Sequence, residues 1–156
     1  MHTDSTPKYE VAVELLDWAI RAYVSGEGYY AALHLAGAAE EVLAVYLRAP
    51  ENDLQPAADS FHELVSHLAC PADKREAEDL KKYCLDRMNG PRNSVKHKRG
   101  HGDNVVTFDA EEEASESIER AYSNYTQLLR KIPLRDLPSI GTFELARRAK
   151  RAHHTG

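Results

Sequence analysis

Cysteine is scarce in this chain. Two occur among 156 residues, Cys70 and Cys84, and no paired-cysteine motif surrounds them. A disulfide framework is therefore excluded, a structural zinc site has no support, and both read as reduced, half-buried helix residues. Long hydrophobic runs are also lacking. No apolar stretch approaches the ~18 residues of a membrane-crossing helix, and the N-terminus carries no signal-peptide pattern. The expectation is a cytoplasmic protein that does not enter a membrane. Positive charge is not in excess either. The formal charge of −5 excludes a nucleic-acid binder that uses its whole surface and leaves room only for local contact. No glycine-rich phosphate loop and no serine or cysteine triad pattern is present.

Helical periodicity is what the chain does have. Charged residues at 29% and hydrophobic ones at 42% suit one soluble globular domain with a real core. Thr6-Pro7 reads as an N-cap and first position, followed by Tyr9, Val13, Leu16, Ile20 and Tyr23 at three- and four-residue spacing. The run Ser25-Gly26-Glu27-Gly28 ends that helix. A second helix, about Tyr29 to Arg48, carries Leu35, Ala38, Ala39, Val42, Leu43 and Tyr46 as its stripe. Its first half is small-sided, so another element can approach closely, and Glu40 or Glu41 can reach a site.

Three capping boxes follow, Ser60 with Glu63, Asp73 with Glu76, and Asp109 with Glu112. The first opens a short helix with Phe61, Leu64, Val65 and Leu68 inward. The second opens one that runs to about Met88, with Ala77, Leu80, Cys84, Leu85 and Met88 inward. The third opens a long helix to about Lys131, its acidic first turns suiting the helix dipole. The short run from Asn104 to Phe108 is too solitary to found a sheet. The fold expected is all-α, an antiparallel bundle of four or five helices over residues 1–133. Residues 134–156 read as a basic C-terminal tail, loosely helical or mobile.

Between the second and third boxes lies a basic island, N-G-P-R-N-S-V-K-H-K-R-G-H-G-D, from Asn89 to Asp103. Pro91 suits the first turn of a short helix ending near Arg99. Asn93 and His97 would then share a face, with Arg92 curling toward it. A histidine supplies proton transfer near neutral pH, and an arginine supplies a fixed cation for charge developing on a phosphate.

The R-N-x-x-x-H arrangement of Arg92, Asn93 and His97 resembles the R-x-x-x-x-H motif of the HEPN superfamily. These are small all-helical domains, many of them metal-independent ribonucleases. The early helix A-A-L-H-L-A-G-A-A-E-E and the motif's place before the last long helix are similar too, so the resemblance covers roughly Tyr9 to Leu129. It implies RNA cleavage by 2′-hydroxyl attack without a cofactor. His97 would be the acid/base, Arg92 the phosphate ligand and Asn93 the orienting group, with Lys96, Lys98, Arg99 and His101 binding nucleic acid. It also implies a homodimer with two motifs facing one cleft, built on the small-sided and motif-bearing helices. The sequence departs from active members after the histidine. An aromatic residue often follows there, whereas Gly100 and Gly102 here predict an early helix end with His97 near a loop.

Three other readings stand beside this one. The chain is a non-catalytic dimerisation or binding module for a nucleotide or a protein partner, an antitoxin or a regulator. Or Arg92 is paired with a glutamate of a neighbouring helix and His97 is merely on the surface. Or His97, His101 and Asp103, with Glu40 or Glu41, ligate a metal.

Overall fold

The computed structural model describes residues 5–154, apart from the side chains of residues 151, 153 and 154. Residues 1–4 and 155–156, assigned above to the bundle and the tail, lie outside the described residues. The described residues form six helices and no strand, which makes the chain all-α.

Helix α1 (Lys8–Ser25) starts with Pro7 rather than Thr6 at the N-cap, and the Pro7 carbonyl accepts from the Glu10 amide at 3.0 Å. It stops at Gly26, whose φ of 77° is the left-handed turn that glycine adopts without steric cost. Helix α2 (Tyr29–Arg48) has the predicted bounds. Helix α3 (Ala57–Ala69) begins three residues before Ser60, and the Ser60–Glu63 box does not form. The Ser60 hydroxyl donates to the Pro56 carbonyl and Glu63 accepts from Gln55. The free amide at the start of α3 goes instead to the side chain of Asn124, which accepts from Ala57 at 2.8 Å.

Helix α4 (Lys74–Lys96) is opened by Asp73, which accepts from the Glu76 amide at 2.9 Å. It does not break near Met88. Pro91 lies inside it, buried, so the missing amide bond is offset by packing and by the anchorage of Arg92 on the next residue. Helix α5 (Ala110–Leu128) is capped by Asp109, which accepts from the amides of Glu111 and Glu112. Helix α6 (Ile140–His154) is the last helix among the described residues.

The core sits between α1, α2 and α5 and is aliphatic, with Leu16, Ile20, Leu33, Leu43, Ile118 and Leu128 all essentially inaccessible. Residues 134–154 do not trail from it. Leu134 and Leu137 are buried, and Phe143 on α6 is wholly enclosed, with its ring 5.2 Å from that of Tyr23. Arg147 and Lys150 pair with Glu119 and Glu111 of α5.

Two apolar stripes are oriented differently from their expectation, and on α4 Leu85, expected inward, is exposed. No residue of α3 is buried, and Phe61, Leu64 and Leu68 are exposed. On α2 the buried face is Ala32, Leu33, Ala36, Ala39, Leu43 and Leu47, whereas Leu35, Ala38 and Val42 are only partly covered. Cys84 is buried on α4, and Cys70 is exposed at the C-cap of α3.

Candidate functional site

Arg92 crosses from α4 onto α2 and is held there. Its Nη1 donates to the Gly37 carbonyl at 3.1 Å, and its Nη2 donates to Glu41 at 2.5 Å and to Asn89 at 3.1 Å. The guanidinium side chain is 12% exposed, while that of Glu41 is 62% exposed. The approach is so close that a Cβ on Gly37 would lie 2.0 Å from Arg92 Cδ. The small side chains of α2 thus admit an arginine at this point. With a carboxylate, an amide oxygen and a carbonyl around it, the cation is already neutralised and hydrogen-bonded.

His97 lies beyond the helix rather than on it. It is the C-cap of α4, with extended backbone (φ −129°, ψ 136°), and its amide bonds to the Asn93 carbonyl at 3.0 Å. The expected short helix from Pro91 to Arg99, with Asn93 and His97 on one helical face, is not formed. Asn93 and His97 line an open recess of about 420 Å³ together with Ser94, Arg99, Asp86 and Asp103. Arg92 is not among the residues that line it; the arginine there is Arg99.

The chain after His97 is folded on itself. Asp103 accepts from the Arg99 amide at 2.6 Å, Lys98 donates to the Gly100 carbonyl at 2.7 Å, and Asn104 donates to the His101 carbonyl at 2.8 Å. Gly100 takes a φ of 71°, which permits the reversal. Lys96, His97, Lys98, Arg99 and His101 are all exposed. Among the described residues, no carboxylate pairs with the side chains of Lys96, Lys98 or Arg99.

The two glutamates of α2 divide their roles. Glu41 holds Arg92, and Glu40 is buried against α5, where Arg120 donates to it at 3.0 Å. Burial pushes the Glu40 carboxyl above its ordinary range, against the pull of Arg120. Asn124, fully buried, donates to the Glu40 carbonyl at 3.3 Å while capping α3. Arg87 of α4 donates to Glu113 of α5 at 2.7 Å. These contacts tie α2, α3, α4 and α5 together.

The metal-binding reading does not take shape. Among the described residues, no three histidine, cysteine, aspartate or glutamate side chains are placed to hold an ion, because Glu40 faces Arg120, Glu41 faces Arg92 and Asp103 caps the loop. Three participants escaped the sequence reading, namely Gly37, Asn89 and Asn124. The glycine inside an alanine run was the available signal for the first. Asn124 lies three residues from Ala121 and four from Leu128, at the border of the apolar stripe of α5, and the spacing alone does not name the partners it meets.

The protein class defined by these observations is all-α, and among the described residues no helix is long and apolar enough to cross a membrane. No family model, curated protein or solved structure matches the chain.

Proposed function

We propose that this chain is a HEPN-like antiparallel helical bundle acting as a non-catalytic binding module for single-stranded RNA. The RNA backbone lies along the exposed residues Lys96, His97, Lys98, Arg99 and His101. The observation that carries the reading is the bonding of Arg92. A phosphate ligand in a cleavage site needs a cation free to meet developing charge, and Arg92 is spent on Gly37, Glu41 and Asn89. Among the described residues, Lys96, Lys98 and Arg99 have no carboxylate paired with their side chains and are open to solvent, which suits backbone phosphates.

The ribonuclease reading keeps one observation in its favour. Asn93, His97 and Arg99 border one recess, beside Asp86 and Asp103, so an imidazole, an amide and a guanidinium open onto the same space.

One experiment separates the two. Purified protein is incubated with mixed single-stranded RNA in EDTA, and binding and cleavage are both followed for wild type, His97→Ala, Arg99→Ala and Arg92→Ala. The module reading expects binding without cleavage. Binding should weaken as salt rises, with a log–log slope of about −2 for three phosphate contacts on a single strand, and Arg99→Ala should flatten that slope. Cleavage by wild type that His97→Ala abolishes would replace the module with the enzyme. Absence of binding at low salt would overturn both.

A further inference from the structure

The recess beside His97 has a lining that phosphate alone does not explain. Two carboxylates open onto it, Asp86 and Asp103, with the amide of Asn93. A phosphate set between those carboxylates would be repelled. A cationic guest is disfavoured as well, since Lys96, Lys98 and Arg99 outnumber the two carboxylates around it. A neutral group that donates hydrogen bonds, tethered to an anion, meets both conditions. A nucleotide has this make-up, a base carried on a phosphate backbone.

The lining is also unspent. Among the described residues, no hydrogen bond or ion pair occupies the side chains of Asp86, Asn93, His97 or Arg99, whereas one oxygen of Asp103 accepts from the Arg99 amide at 2.6 Å. Asp86, Gly90 and Asn93 are four and three residues apart on α4 and share one face. Its own helix backbone and chain neighbours aside, nothing lies within 4 Å of where a Cβ on Gly90 would stand. The floor between Asp86 and Asn93 is therefore open backbone. The two side chains are seven residues apart, about 10 Å along the axis, and both lean toward the helix N-terminus. Hydrogen bonds of about 3 Å at each end leave about 4 Å, which the edge of one base spans. A second recess of about 480 Å³ adjoins the first, shares Ser94, His97 and Asp103 with it, and is bordered by Lys96 and Lys98. Phosphates thus find cations next to the base.

We infer that this recess selects guanine in single-stranded RNA, with Asp86 as the residue that reads it. The inference rests on the RNA-binding reading above and adds the base. A carboxylate only accepts, through two oxygens. The pairing edge of guanine carries two adjacent donors, N1–H and the 2-amino group, which one carboxylate takes together. Its O6 lies beyond them and accepts from the Asn93 amide. Adenine and cytosine place a ring-nitrogen acceptor beside their one amino donor. Uracil offers a single N–H between two carbonyls, so each of the three sets an acceptor against the carboxylate. Unstacked bases of a single strand present this edge freely. Lys96, Lys98 and Arg99 stay with the phosphates.

The test is fluorescence anisotropy of labelled uridine decamers that carry uracil, guanine, adenine, cytosine or hypoxanthine at the centre. It is run at low salt, with circular dichroism of every variant. Wild type is expected to bind the guanine decamer about tenfold more tightly than the uracil, adenine or cytosine ones. Hypoxanthine lacks the 2-amino group and should lose most of that gain. Asp86→Asn, at an exposed position, should bring the decamers to about equal affinity with helical content unchanged. Lys96→Ala should weaken all of them alike and keep their ratio. Equal binding by wild type overturns the guanine inference and leaves RNA binding standing, whereas no binding to any decamer overturns both. A guanine preference kept in Asp86→Asn overturns Asp86 as the reader. Free guanosine 5′-monophosphate that binds as tightly as the guanine decamer overturns RNA as the source of the base.

Discussion

Arg92 and Gly37 fit together as a clasp, the arginine stem lying where any side chain on residue 37 would stand. A Cβ there would fall 2.0 Å from Arg92 Cδ, which no real contact allows. Gly37→Ala must therefore expel Arg92 or part α4 from α2, and the expected cost is about 1–3 kcal/mol. In an Arg92→Ala background the obstacle is gone. There the same Gly37→Ala should be neutral or stabilising by about 1 kcal/mol, because alanine is the better helix former. Urea denaturation of the four proteins in this cycle gives the coupling directly. Additive effects would show that the two residues do not meet.

Asn124 joins three helices from a fully buried position. It accepts from the Ala57 amide at 2.8 Å and donates to the Glu40 carbonyl at 3.3 Å. Asn124→Leu leaves the part-buried Ala57 amide without its acceptor, while the Glu40 carbonyl loses a second donor but keeps its bond within α2, at an expected cost of about 1–3 kcal/mol. The loss should be uneven. Amide exchange at the start of α3 should accelerate more than exchange within α1, since Pro56 offers no side-chain acceptor to replace the asparagine. Uniform acceleration would indicate that Asn124 is a packing residue and not the cap of α3.

Two carboxylates give opposite pH signatures. Glu40 is raised above its ordinary 4.5 by burial, so the folded state holds its proton more tightly than the unfolded state. Its contribution is greatest below about pH 4.5 and declines as pH rises through the folded value. Glu116, raised by burial and by Glu113, adds in the same sense. Asp59 is lowered from 3.8 by its hydrogen bond from Arg48, so its contribution is present above that value and lost as pH falls. Stability measured from pH 3 to 8 should therefore fall less steeply above about pH 4.5 in Glu40→Gln than in wild type. Asp59→Asn should differ from wild type chiefly by losing the decline at the acid end. A Glu40→Gln profile parallel to wild type throughout would contradict the burial of that carboxyl.

Helices were legible where one local pattern decided them. The bounds of α2 and the caps at Asp73 and Asp109 follow from periodicity and side-chain acceptors within three residues. The start of α3 was not legible, because its cap comes from Asn124, 67 residues away. The stripe of α2 was misassigned for a related reason. With alanine, leucine and valine on most of its surface, periodicity cannot say which side meets the core, and the outer side reads as strongly as the inner face. At the candidate site, the early helix end before His97 was visible in Gly100 and Gly102. The pairing of Arg92 with α2 stood among the alternatives, but its tight fit depends on Gly37, which contact in space alone reveals. The ending of the chain misled through its basic composition, since cations on α6 hid the apolar residues that anchor it.

That anchoring supplies the remaining test. Residues 134–156 carry one proline, Pro138, and a basic end, the composition of a dispensable tail, yet Phe143 is wholly enclosed and Leu134 and Leu137 are buried. Ser139 donates to the buried Asp17 of α1 at 2.5 Å, and the Tyr125 hydroxyl donates to the Arg135 carbonyl at 2.9 Å. Both bonds fix the path into α6. Phe143→Ala removes an enclosed ring from against Tyr23, and the expected loss is about 3–5 kcal/mol. Ending the chain at residue 133 should cost more, because it also uncovers the α1–α5 side of the core. Thermal melting of full chain, Phe143→Ala and the shortened chain should rank in that order. A shortened chain that melts with the full one would return residues 134–154 to the status of a tail.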